Sequence, residues 1–203
     1  CYSYNAGYWV IEYAYGEVTN QGQAHLLPAI LGDGYFYQGS TSYQTLDRNM
    51  RQEMWWALAS GARGVLFESE ALWKWDFSGA LAGVTSEWFP VNNLPHIVSA
   101  FTGLTGWQNL IPDTGNALGT AGRGTRVTGF AAGGSGGHYE NAFTNSYVAA
   151  SVTSDKSLAV LYLPNATTIT IDQSQMLTGY GAKWMDPVTG ATVYDQNVSV
   201  DQN

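Results

Sequence analysis

Charge is what this chain has least of. Charged residues fill 12% of its 203 positions, about half the usual share of ~25%. Only eight residues are basic, and they are scattered. A nucleic-acid partner needs Lys and Arg gathered into a patch that displaces counterions. The net charge of −8 therefore sets nucleic acid aside. Cysteine occurs once, at Cys1, which excludes an internal disulfide. There is no apolar run of about 18 residues, so no transmembrane helix and no membrane insertion are predicted. No secretory leader is visible and the first residue is not Met, so the chain reads as processed or partial.

What is there suits a packed core. Apolar residues make up 45% and aromatics 14%, and glycine occurs 24 times. Many Gly, Asn, Ser, Thr and Tyr with few charges predict an extracellular or secreted protein, or one on the surface of a virus particle or appendage. Asn165-Ala166-Thr167 and Asn197-Val198-Ser199 are glycosylation sequons, which matter only in a eukaryotic secretory route.

The most organised stretch runs from Arg51 to Trp75. Thr45 is placed to cap a helix in which Leu46, Met50, Met54, Ala57 and Leu58 recur at helical spacing, giving one apolar face. Gly61 stands where a left-handed C-cap is expected. Val65-Leu66-Phe67 reads as a short strand buried on both faces. Glu68 and Glu70 follow, and unpaired carboxylates belong at the mouth of such a strand, not inside it. Upstream, Tyr8 to Val18 has helical spacing and His25 to Leu31 reads as a strand ended by Gly32-Asp33-Gly34. Strand and helix alternate, which predicts a parallel sheet. Downstream, Asn93 is placed to cap a helix with Pro95 in its first turn and Ile97, Val98, Phe101 and Leu104 on its apolar face.

Composition changes near residue 114. Residues 116–137 are rich in Gly, Thr and Ala and read as loop or linker. Short alternating segments follow at Asn145–Thr153, Ser157–Leu163, Thr168–Ile171, Ala182–Trp184 and Thr192–Tyr194, with Asp186-Pro187-Val188-Thr189-Gly190 as a turn. They predict a small antiparallel β-sandwich.

Four local patterns coincide with one family. They are Arg51 to Leu58 with the Gly61-Ala62-Arg63-Gly64 turn, Ala71-Leu72-Trp73, Trp107 to Asp113, and Leu158 to Pro164 with Trp184 to Gly190. In this order they resemble the apiosidase-like glycoside hydrolases, which are (β/α)8 barrels followed by a small β-sandwich described as a putative collagen-binding domain. The resemblance implies α/β plus all-β architecture: residues 1–113 as the C-terminal part of a TIM (β/α)8 barrel and 114–203 as a β-sandwich. It implies that a preceding segment, or other chains, would complete the barrel.

Most glycosidases place two carboxylates across the scissile bond, about 5–5.5 Å apart when retaining and about 6.5–9.5 Å when inverting. The resemblance gives Asp33 the catalytic position at the end of the seventh strand, where the family typically carries Glu. Tyr37-Gln38 stands near the family's Tyr-Glu pair, one residue out of step. The partner carboxylate would lie upstream of Cys1. An Asp between two glycines is also a common turn, and both readings stand. Glu68 and Glu70 are candidate substrate contacts; the alternative is a hydrogen-bonded pair ordering the loop. Trp73, Trp75 and Tyr35 offer aromatic faces to a sugar, or pack the loop onto the barrel. Arg51 is expected in a structural ion pair. His25, His96 and His138 lack metal-ligand spacing, and neither a metal nor a cofactor is expected.

Two functions follow. One is a glycoside hydrolase whose substrate is a plant or microbial polysaccharide. The other is a non-catalytic structural or glycan-adhesion module, favoured by the Asp33 and Gln38 departures.

Overall fold

The computed structural model describes residues 7–20, 28–32, 43–67, 93–127 and 145–195. In chain order they form α1 (Gly7–Asn20), β1 (Ile30–Leu31), α2 (Tyr43–Ala59), β2 (Gly64–Val65) and α3 (Leu94–Thr102). A 3-10 turn (Trp107–Asn109) leads to β3 (Leu110–Pro112) and β4 (Gly119–Ala121). Then come β5 (Ala149–Thr153), β6 (Ala159–Tyr162), β7 (Thr170–Ile171), a 3-10 turn (Gln173–Gln175), β8 (Ala182–Met185) and β9 (Thr192–Asp195). The fold is α plus β, with mixed helices and small sheets. No closed barrel is present among the described residues.

β1 and β2 pair in parallel, with Ile30 opposite Gly64 and Leu31 opposite Val65. Parallel neighbours require a crossover, and α2 supplies it. The remaining pairs are antiparallel: β5 lies between β3 and β6, β4 pairs β7, and β8 pairs β9.

The end of α2 follows from Gly61. Its φ of +90° is the left-handed conformation that lacks a penalty only for glycine. Gly61 N–H then donates to the Leu58 carbonyl and Ala62 N–H to the Ala57 carbonyl, both at 3.0 Å. These two bonds are a Schellman termination, with Ala57 and Ala62 fully buried together. Tyr15 seals the exit from α1, its hydroxyl donating to the carbonyls of Gly61 (2.9 Å) and Leu110 (3.2 Å).

One core serves both halves of the chain. Tyr8, Ile11, Met50, Met54, Trp56, Phe101, Leu110, Tyr147, Ala149 and Tyr162 belong to a single buried cluster. Trp56 meets Tyr8 edge-on at 5.1 Å, and Tyr8 meets Tyr147 at 4.5 Å. Trp55 stacks on Tyr162 at 5.8 Å.

Several expectations change. α2 begins two residues before Thr45, which lies within the helix instead of capping it. Its second half is buried almost all round rather than on one face, because α1 packs against it and β5 and β6 cover it as well. Strand β2 ends at Val65. Leu66 is 56% exposed, so the run is not buried on both faces; no strand among the described residues covers that side. Val98 points outward from α3, although Ile97 and Phe101 are buried. Within the stretch expected to be loop, residues 119–121 form β4, whose pairing with β7 overrides a weak local pattern. β3 also went unread as a strand; it is held by β5.

Candidate functional site

The eight residues expected at the site all lie outside the described residues. They are Asp33, Tyr35, Tyr37, Gln38, Glu68, Glu70, Trp73 and Trp75. The described residues that precede them in sequence are Gly32 and Phe67, just after β1 and β2, whose last residues Leu31 and Val65 are paired.

One concavity is lined by described residues. It is a groove of about 440 Å³ between the first half of α2 and the segment from β6 through the turn after β8. Ligand pockets commonly occupy ~300–1,000 Å³. Arg48 and Arg51 line it from α2, and Tyr162, Asn165, Trp184 and Asp186 line it from the β region. The two arginines are three residues apart on a helix and therefore share a face. Trp184 is 52% exposed. It lies on β8, which pairs with β9.

The electrostatics of the groove are specific. Arg51 donates from Nη1 to Asn93 Oδ1 at 3.0 Å, and Arg48 from Nη2 to Asn165 Oδ1 at 3.3 Å. Both acceptors are neutral amides. The ion pairs among the described residues are Arg123–Asp113 and Arg126–Glu12, and neither groove arginine joins one. The expected ion pair of Arg51 is thus replaced by an amide. Asn93 is drawn away in the process: it sits at the start of α3 but makes no side-chain capping bond.

Asp186 is the carboxylate of the groove, and its oxygens serve its own turn. Oδ1 accepts Val188 N–H at 2.7 Å and Oδ2 accepts Thr189 Oγ1–H at 2.9 Å. Those bonds, the backbone N–H of Val188 first, and to a smaller degree the nearby charge of Arg51, hold its carboxyl below the ordinary range. Burial pushes the Tyr162 phenol up to about 12, against a smaller opposing pull from Arg51 and Arg48.

Away from the groove lies a buried ionic cluster. Arg123 donates from Nη1 to the Asp113 carboxylate at 3.1 Å and to the Asp113 carbonyl at 2.7 Å, and its guanidinium lies 4.8 Å from the Tyr147 ring centre. Arg126 Nε donates to Glu12 Oε2 at 2.6 Å. Burial raises the Glu12 carboxyl, and Arg126 offsets that in part. These groups tie the chain from 113 to 127 to α1.

Sequence reasoning missed the groove. Trp184 was read only as part of the sandwich pattern, and Arg48 was passed over. The available signal was the Arg48/Arg51 spacing on a helix in a chain with so few cations. Among the described residues there is no cluster of three or more His, Cys, Asp or Glu able to hold a metal. No described helix is long and apolar enough to cross a membrane. Comparison with protein-family profiles, with curated proteins and with solved structures gave no match.

Proposed function

We propose that the chain is a carbohydrate-active protein of glycoside-hydrolase type, with residues 1–113 as the C-terminal part of a (β/α)8 barrel and 114–203 as a β-sandwich. The observation that supports this is the parallel β1–α2–β2 unit. Both strands leave the sheet at the same edge. Asp33 follows Leu31 by two residues and Glu68 follows Val65 by three. Parallel α/β folds bind ligands at the C-terminal ends of their strands. On this reading Asp33 is the catalytic carboxylate. Tyr35, Tyr37, Gln38, Glu68, Glu70, Trp73 and Trp75 contact the polysaccharide, and the protein works outside the cell or on a particle surface.

The test is hydrolysis of a polysaccharide panel by the full natural protein and its Asp33→Asn variant. Loss of a carboxylate acting as acid or base should slow turnover by about 10²–10⁴-fold. Undiminished hydrolysis by the variant would remove Asp33 from the mechanism.

A glycan-binding role without turnover is the second reading, favoured by the groove beside Trp184. An exposed indole offers a flat apolar face to a sugar ring. Saccharide binding with no hydrolysis by either protein would select it.

A further inference from the structure

The groove between α2 and β8 carries two cations against one carboxylate among its described lining residues. The chain as a whole has eight basic residues and a net charge of −8. Two of those eight face one groove, and among the described residues neither joins an ion pair. Among the described residues each makes one side-chain hydrogen bond, to a neutral amide oxygen, out of the five N–H donors that a guanidinium carries. The groove carboxylate, Asp186, spends its hydrogen bonds on Val188 and Thr189 and meets the charge of Arg51 only as its weakest stabilising influence. Two cations against one carboxylate make the groove positive in an acidic protein, and this favours an anion.

The shape of the charge narrows the ligand. Guanidinium forks match a planar carboxylate with paired N–H···O bonds. Trp184, 52% exposed in the same groove, offers a ring face. A hexuronate residue has both features: a carboxylate on one carbon and a patch of ring C–H groups. We propose that this groove binds a uronic-acid residue of an acidic saccharide, its carboxylate on Arg48 and Arg51 and its ring against Trp184. The proposal rests on the carbohydrate reading above only for the class of ligand.

The test is calorimetric titration of the full chain with oligosaccharides of glucuronate, galacturonate and mannuronate, each beside its neutral hexose counterpart. The acid forms should bind at least about tenfold more tightly, equivalent to ~1.4 kcal/mol, and weaken as salt is raised. Arg48→Ala should abolish most of that preference while leaving weak neutral binding, and Trp184→Ala should weaken both forms. In the wild-type protein, titration should shift the Trp184 indole N–H resonance, a readout independent of any variant's folding. Equal binding of acid and neutral sugars at this groove would overturn the uronate assignment and leave the carbohydrate reading standing. Inorganic phosphate competing as well as the uronides do would reduce the site to a simple anion site and overturn it too. No saccharide binding, with the indole resonance unmoved, would overturn the groove proposal, while the hydrolysis test of Asp33 decides the carbohydrate reading separately.

Discussion

Trp56 donates its indole N–H to the carbonyl of Tyr147 at 2.8 Å, across 91 residues of sequence. Both residues are almost completely buried. This bond and the Gln52 amide donating to the Asn145 carbonyl at 2.9 Å fasten α2 to the start of β5. Helix and sheet therefore share a core.

Trp56→Phe should be costly for that reason. The ring is largely kept, but a void opens and a buried carbonyl loses its donor. A loss of about 2–4 kcal/mol is expected. Urea unfolding of both proteins measures it, and a change below about 0.5 kcal/mol would show that the bond contributes little.

Gly61→Ala should destabilise more than Gly106→Ala. Both glycines have positive φ, +90° and +83°. A left-handed alanine costs about 1–2 kcal/mol by itself. At Gly61 the added carbon would also lie 2.7 Å from the Leu110 carbonyl oxygen, which is backbone; at Gly106 it meets open space. The expected gap is about 1 kcal/mol or more. Equal midpoints in parallel denaturation curves would contradict it.

Asp113→Ala should strand Arg123. The Asp113 carboxylate accepts the N–H groups of Ala117, Leu118 and Gly119 at 2.7, 3.1 and 2.9 Å as well as Arg123 Nη1. Removing one partner of a buried pair costs about 3–5 kcal/mol. Removing both with Asp113→Ala/Arg123→Met should cost less than the sum of the single changes. A strictly additive double-mutant cycle would mean that the pair is not coupled.

Glu12 should make stability depend on pH. Burial, opposed in part by Arg126, raises its carboxyl above the ordinary value of 4.5. Between that value and the raised native one, the folded chain holds a proton that the unfolded chain has lost. Stability therefore falls as pH rises through this window, and the contribution is fully present only below the unfolded value. Glu12→Gln should flatten that slope. Midpoints of urea unfolding from about pH 4 to about pH 8 test it; an unchanged slope in the variant would assign the pH dependence to other groups.

Much of the secondary structure was legible because its causes are local. Met50, Met54, Ala57 and Leu58 recur at helical spacing and all are buried. Gly61 ends α2 because the backbone there demands positive φ. The Asp186–Gly190 turn forms between β8 and β9 because Asp186 can satisfy its own loop. Pairing of β1 with β2 agrees with the predicted parallel order.

The sequence by itself determined these periodicities, terminations and turns, since each is decided by residues a few positions apart. Only the tertiary structure decided the rest. β4 is a strand because β7 offers its backbone, and α2 is enclosed because β5 and β6 lie over it. Arg51 faces Asn93 instead of a carboxylate, 42 residues away along the chain. The groove joins Arg48 on a helix to Trp184 on a strand. Contacts of that span depend on how packed elements meet in space, which no local pattern encodes.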